Sequence, residues 1–259
     1  RHFIDLEIYG DSAAWKMPAK WEDAVKIFSK DTLFKYGYVP YHIIYIKDKL
    51  TEAFRLRNKD SILFYAADLG HYIGDANVPL HTTLNYDGQL TDQKGLHSLW
   101  ESMIPEIELD QYSLYSRHNA TYLADPEAAI WKVIRWSYTL TKDVFEQETA
   151  ASKDFSDSTK FRTQVRNGRT VRSYTSGFAK AYSQRLGKTI NEQLLSSSNL
   201  IADFWYTAWV DAGKPDLSGL SSPPFMKKDK KVMKAENKAY RKNELLEKKL
   251  LIARKKVRE

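Results

Sequence analysis

The segment KDSILFYAADLGHYIGD, residues 59–75, constrains the fold most. Its apolar residues run around most of a helical circumference. A helix of that kind has no face to give to water, so other elements must enclose it. Asp60 is read as its capping residue, and Pro79 prevents it from continuing. The enclosing partners are legible too. YHIIYIKDKLTEAFRLR puts Ile43, Ile46, Leu50 and Phe54 at helical spacing. DPEAAIWKVIRWSYTLTKDVF opens with Asp125 as cap and Pro126 at the first helical position, and carries Ile130, Ile134, Tyr138, Thr141 and Phe145 along one face. A further long helix is expected over about 178–212, ending at Gly213 with Pro215 beyond it. Strand-period alternation is scarce. The chain therefore reads as all-α, with long loops near 82–96 and 153–176.

The chain has 259 residues, enough for one sizeable core with an appendage. Residues 1–215 read as the helical domain. DLSGLSSPPF, 216–225, has the composition of a linker. Residues 226–259 form a basic tail of strong helix formers, in which Leu246, Leu250, Ala253 and Val257 make a short apolar stripe. Such a segment is either a solvated helix or a basic amphipathic helix that touches an anionic membrane surface or a partner. The tail also carries the net charge. It holds 14 of the 40 Lys and Arg and 5 of the 33 Asp and Glu, which leaves +9 in the tail and −2 over residues 1–225. A body of that balance is not a general nucleic-acid-binding surface. No run approaches the roughly 20 apolar residues that span a bilayer, and no signal peptide opens the chain. Residue 1 is Arg rather than Met, so an upstream segment is expected.

There is no cysteine, so disulfides and thiolate metal sites are excluded and any metal must use His, Asp or Glu. Those residues are patterned. His71 and Asp75 stand four apart, one turn of a helix, on one face. Gly70 and Gly74 lie on an adjacent strip that would let another backbone approach. His81 follows across the break at Pro79. His97 and Glu101 repeat the spacing of four. Together these are five candidate ligands within 31 residues, which suits more than one ion. His2, with Asp5 three residues on, is a sixth candidate. Of the other histidines, His42 in VPYHIIYI reads as a hydrogen-bonded packing residue, and His118 lies in a polar loop with no assigned role.

These residues are recognisable as a set. HYIGDxxxPLH followed by LHSLWE resembles the superfamily of zinc-dependent phospholipases C and single-strand-specific fungal nucleases, which are all-α enzymes holding three zinc ions in a cleft. Their pattern is H-x-x-x-D-x-x-x-x-x-H, then H-x-x-x-D or H-x-x-x-E, preceded by H-F-x-D. His71, Asp75 and His81 match the first part, His97 and Glu101 the second, and His2 and Asp5 the third. The likeness is tightest over about 54–101 and looser to about 212, where FWYTAWVDAG resembles the family's closing helix; the basic tail has no counterpart. The resemblance implies one zinc on His81, His97 and Glu101. It implies that His2, His71 and Asp75 contribute to a pair, with Asp75 bridging. Asp5 does not ligate in the family; it is expected behind the ligands at the cleft and is the candidate catalytic residue. The family's other ligands, an N-terminal Trp, a nearby His and an Asp that doubles as candidate base, lie upstream of H-F-x-D. One site is therefore expected complete and the paired site incomplete.

Clustered divalent ions suit hydrolysis of a phosphate ester, because they acidify a water and offset the charge that develops in an in-line displacement. Glu101 stands where the phospholipases have Glu and the nucleases usually have Asp, and the near-neutral body fits a lipid headgroup better than a polynucleotide. The reading is thus a phospholipase C-like phosphodiesterase. A single-strand nuclease acting on nucleotides is the alternative, and a metal-binding protein without turnover is a third. The family's export signals imply a periplasmic or secreted protein.

Overall fold

A computed structural model describes residues 1–166, 169–220 and 226–251. The first part is α1 (Ala13–Lys16), α2 (Trp21–Phe28), α3 (Lys30–Tyr36), α4 (Val39–Arg55) and α5 (Lys59–Ala76). A 3₁₀ turn, Pro79–Thr82, follows. Next come α6 (Leu96–Ser98) and α7 (Ile104–Glu108), joined by a π-helical turn at Leu99–Met103. The remainder is α8 (Pro126–Ser152), α9 (Asp157–Lys160), the hairpin β1 (Phe161–Arg166) and β2 (Arg169–Tyr174), α10 (Ser176–Leu186), α11 (Thr189–Asp211) and α12 (Lys227–Arg241). The chain is mostly helical, as expected, and no described helix is long and apolar enough to cross a membrane.

Two apolar cores divide the molecule. The first gathers Ile43, Ile46, Leu50 and Phe54 of α4, Leu69 and Ile73 of α5, Ile130, Trp131 and Ile134 of α8, and Phe204 of α11. The second gathers Leu80, Leu96, Leu99, Trp100, Val144, Tyr174, Phe178 and Tyr182. α8 serves both, its first half packing in one core and its second half in the other. Asp125 caps it as expected, accepting from Ala128 N at 2.8 Å. The segment from the end of α5 to Glu101 crosses the seam between the cores.

Several local expectations are corrected. The cap of α5 is Asn58, whose extended backbone lets Oδ1 accept from Ser61 N at 3.0 Å; Asp60 lies inside the first turn, where its charge still suits the helix dipole. Nor is α5 enclosed throughout. Leu63 and Phe64 are 60% and 64% exposed, and burial starts near Leu69. The long helix expected near 178–212 is two helices, because Gly187 takes φ +60° and turns the chain. The expected loop 153–176 contains the hairpin, which pairs Phe161 with Tyr174 and packs that end on the second core. Among its described residues, the basic tail is helical only to Arg241. Asn243 has φ +58°, and residues 244–250 turn rather than continue, so Leu246 and Leu250 do not form a helical stripe. Ala253 and Val257, with the linker's second half, 221–225, lie outside the described residues.

Candidate metal centre

The six histidine and carboxylate residues singled out as ligands fall into two groups of three, His2–His71–Asp75 and His81–His97–Glu101. In the first, His2 Nδ1 lies 3.0 Å from Asp75 Oδ2 and 3.0 Å from His71 Nε2, and His71 Nε2 lies 3.5 Å from Asp75 Oδ2. In the second, Glu101 Oε2 lies 2.6 Å from His97 Nε2 and 3.4 Å from His81 Nε2. Asp75 Oδ1 is 3.9 Å from His81 Nε2, which links the groups.

Local structure explains the arrangement. Asp75 sits in the last turn of α5. Asn77 closes that turn, its Nδ2 donating to Ile73 O at 2.8 Å, and Pro79 opens the 3₁₀ turn that brings His81 round. His2 arrives from the other end of the sequence. Ile4 N donates to His81 O at 2.9 Å, Asp5 N to Tyr36 O at 2.8 Å, and Val39 N to Phe3 O at 3.2 Å. This close approach needs Gly37, at φ +93°, where a Cβ would stand 2.2 Å from Phe3 O. Glu7 adds a clasp, accepting from Thr83 Oγ1 at 2.6 Å and Leu84 N at 3.0 Å. Gly70 and Gly74 face side chains of α11, Ile201 and Ser197, rather than another backbone.

The second pair lies on a π turn, not a plain α-helix. Pro105 stands four residues after Glu101. In an α-helix its missing N–H and its ring would leave the Glu101 carbonyl unpartnered and crowded; the wider turn avoids that, with Ile104 N donating to Leu99 O. His97 is oriented by groups the sequence reading did not assign. Its Nδ1 faces Tyr86 O at 3.0 Å, and its backbone N–H donates to Asp87 Oδ1 at 3.3 Å. The Tyr86 carbonyl thereby leaves Nε2 as the inward nitrogen, the way a ligating imidazole is held. Burial alone would depress the His97 pKa, but the hydrogen bond and charge of Glu101, helped by the Tyr86 carbonyl, outweigh it and raise the value. Hydrogen bonds from His81 and His97 hold the Glu101 carboxyl well below its usual range. Both directions describe a proton shared where a cation would sit.

Behind this loop lies a buried polar network. Glu148, 1% exposed on the otherwise apolar face of α8, accepts from Lys160 Nζ at 2.7 Å, Gln93 Nε2 at 2.5 Å and Tyr174 OH at 3.1 Å. Gln93 belongs to the turns that carry the chain from Asn85 to His97. The signal for Glu148 was a carboxylate placed four residues after the buried Val144.

The donor sets could hold a metal ion such as zinc. Four ligands about 2.0–2.1 Å from a tetrahedral ion stand about 3.3–3.4 Å apart. The first group's separations of 3.0–3.5 Å bracket that value; in the second, one separation matches it at 3.4 Å and the other, at 2.6 Å, is shorter. A cavity of about 310 Å³ opens beside them, its lining including His71, Asp75 and Glu101 and the apolar Trp100, Ile190 and Leu194. A wider cavity of about 710 Å³ lies beyond His42, walled by Trp21, Phe34, Tyr38 and Tyr45 with Arg1, Lys20 and Lys30 at its edges.

Three expectations change. Asp5 is buried, belongs to neither group and is not among the residues lining the 310 Å³ cavity. Burial, then the charge of Glu7, pushes its carboxyl up to about 6. His42 does pack, edge-on to Tyr72 at 4.5 Å, but its Nε2 has no hydrogen-bond partner among the described residues. His118 has a role after all: its Nε2 meets Asp203 Oδ1 at 2.7 Å, and Asp203 also accepts from Thr121 N at 2.7 Å, fastening the 113–124 segment to α11.

No family model matches the chain, and no curated protein or solved structure matches it.

Proposed function

We propose that this chain is a zinc-dependent phosphodiester hydrolase of the phospholipase C kind, with the helical fold of that superfamily. The observation that carries the reading is the pair of histidine–carboxylate groups joined through Asp75, which offers one oxygen to each. Bound there, zinc supplies Lewis acidity, withdrawing charge from a phosphoryl oxygen and acidifying water. His2, His71 and Asp75 would hold one ion and His81, His97 and Glu101 another. The chain's own part is to orient and exclude. The Tyr86 carbonyl fixes the His97 ring, Glu7 and Gly37 bring His2 to α5, and Trp100, Ile190 and Leu194 give the cavity an apolar wall.

Charge supports a metal rather than a bare phosphate pocket. No Lys or Arg lines the 310 Å³ cavity, while Asp75 and Glu101 do. A phosphodiester placed beside two carboxylates that only imidazoles face would be repelled, which supports a cation between them. The modest volume and apolar wall favour a compact headgroup next to an apolar chain. One observation favours the second reading, a single-strand nuclease. The 710 Å³ cavity is aromatic, with Trp21 stacked on Phe34 at 5.8 Å, and it begins at Arg1, next to His2. Such walls can stack a base.

Zinc content and hydrolysis of bis(p-nitrophenyl) phosphate, phosphatidylcholine and single-stranded DNA decide between these. Cleavage of the lipid but not the DNA supports the first reading, and the reverse supports the second. Zinc bound with no turnover of any of the three would leave a metal-binding protein and end both.

A further inference from the structure

Among its described residues, the basic tail is anchored to the body where α12 ends. Ala239 is 4% exposed, the Tyr240 hydroxyl accepts from Ser116 N at 3.0 Å, and its ring meets Tyr115 edge-on at 5.2 Å. The Asn243 amide accepts from Leu114 N at 2.7 Å and donates to Tyr112 O at 3.0 Å. Between those two positions Asn191 of α11 grips Ser113 through both its backbone groups, at 3.1 and 2.9 Å. Residues 112–116 are thus a strut between the tail and α11, and α11 supplies Ile190 and Leu194 to the cavity beside Asp75 and Glu101.

The rest of α12 stands in solvent, from Met226 to Lys238, with only Asp229 half-buried. Asp229 is occupied in capping, accepting from Met226 N at 2.8 Å. Lys230, Lys234 and Lys238 lie one above another, with Arg241 on the next turn. Their spacing along the axis is about 6 Å per four residues. Among the described residues these lysines have no carboxylate within ion-pair distance; the tail's pairs, Lys242–Glu244 and Lys248–Glu247, lie past the ladder. Met233, 55% exposed, lines the same surface as the ladder, and Met226, 54% exposed, stands one turn before Lys230, while Val232 lies on another face, beside Glu244 and Leu250.

A ladder of cations without ion pairs, exposed along one helix face, suits an anionic partner. The choice is between a nucleic acid and a lipid surface. A single strand is gripped by cations together with aromatic rings that stack on bases. Residues 226–238 contain no aromatic, and Tyr240 is committed to the body. A membrane interface instead takes flexible apolar side chains between the headgroups while lysines meet the phosphates. We infer that α12 docks on an anionic phospholipid bilayer and moors the body, with its cavity, to that surface. The inference goes beyond the hydrolase reading and does not depend on it, since docking needs neither zinc nor turnover.

The test uses the full chain and sedimentation with two kinds of vesicle, pure phosphatidylcholine and an equal mixture of phosphatidylcholine and phosphatidylglycerol. The chain should bind the mixed vesicles alone and leave them near 1 M salt, where the Debye length is about 3 Å. K230Q/K234Q/K238Q should lower binding by about 100-fold, at roughly fivefold per lysine, with circular dichroism and melting unchanged. Met233→Glu, which keeps the ladder intact, should weaken it as well. Equal binding to both vesicles, binding that survives the triple substitution, no binding to either, or tighter binding to a single-stranded oligonucleotide at the same salt would each overturn the inference.

Discussion

Asp75 Oδ1 lies 3.9 Å from His81 Nε2, across the turn that Pro79 forces, while Asp75 Oδ2 faces His2 at 3.0 Å. One carboxylate therefore stands between two sets of imidazoles. Asp75→Asn should weaken zinc at both groups, by at least about 100-fold at His2–His71 and about tenfold at His81–His97–Glu101. Glu101→Gln should act on the second group alone. Competition with a chromophoric chelator resolves the two affinities; an unchanged second site in Asp75→Asn would disprove the coupling.

Metal removal should lower stability. Zinc at about 100 times its Kd adds about 2.7 kcal/mol, or about 5–10 °C in Tm for a chain of this length. Magnesium at the same concentration should add little, since imidazole-rich sets do not suit it. Calorimetry of chelated protein with each ion added back measures this. A melting curve indifferent to zinc would count against both donor groups.

Gly37→Ala should cost about 2–4 kcal/mol, because a methyl group there meets the Phe3 carbonyl at 2.2 Å and the backbone already has φ +93°. The damage should be local. His2, one residue from Phe3, would leave α5, and zinc at the first group should be lost before zinc at the second. Urea unfolding together with the chelator assay reads both; equal loss at the two groups would refute the link.

Lys160→Met should cost about 3–5 kcal/mol, since it leaves the Glu148 carboxylate, 1% exposed, without its cation. Adding Glu148→Leu should recover much of that. Zinc affinity at the second group should stay lowered in the double variant, because Gln93 keeps its bonds to Phe145 O and Thr149 Oγ1 but loses its shortest acceptor on α8. Full recovery of affinity would show that the network has no hold on the site.

His42 supplies the pH dependence. Burial, then the positive charge of Arg1, lowers its pKa to about 4 from an ordinary 6.5. The native ring stays neutral where the unfolded chain takes a proton, so the His42 contribution is lost as pH falls from 6.5 to 4, by up to about 3 kcal/mol, against an opposite change from Asp5, whose raised carboxyl favours the fold as pH falls. His42→Phe removes that loss and the unpartnered Nε2, and should be as stable as the parent at pH 7 and more stable at pH 4. Chelated protein unfolded in urea at the two pH values tests it; parallel losses in parent and variant would exclude His42 as the source.

Much of this was legible locally. The faces of α4 and α8 followed from apolar spacing, and the cap of α8 from Asp-Pro. Elements decided by less than a full period were not. Asn58 rather than Asp60 caps α5 because the cap is set by backbone angle as well as residue type. The hairpin near 161–174 escaped notice because short mixed segments take their strand form from pairing and from the Phe161–Tyr174 contact with Phe178.

The sequence by itself determined which side chains share a turn: His71 with Asp75, His97 with Glu101, and His81 just past a proline that must bend the chain. Helical geometry acts over four residues, and there it is decisive. It cannot say that His2 comes to lie against residue 75, or that Glu148 braces the loop before His97. Those meetings depend on Ile4 pairing with Gly37 and His81, and on α8 spanning both cores. Contacts between distant residues are fixed by packing and by hydrogen-bond partners that only the folded chain brings together.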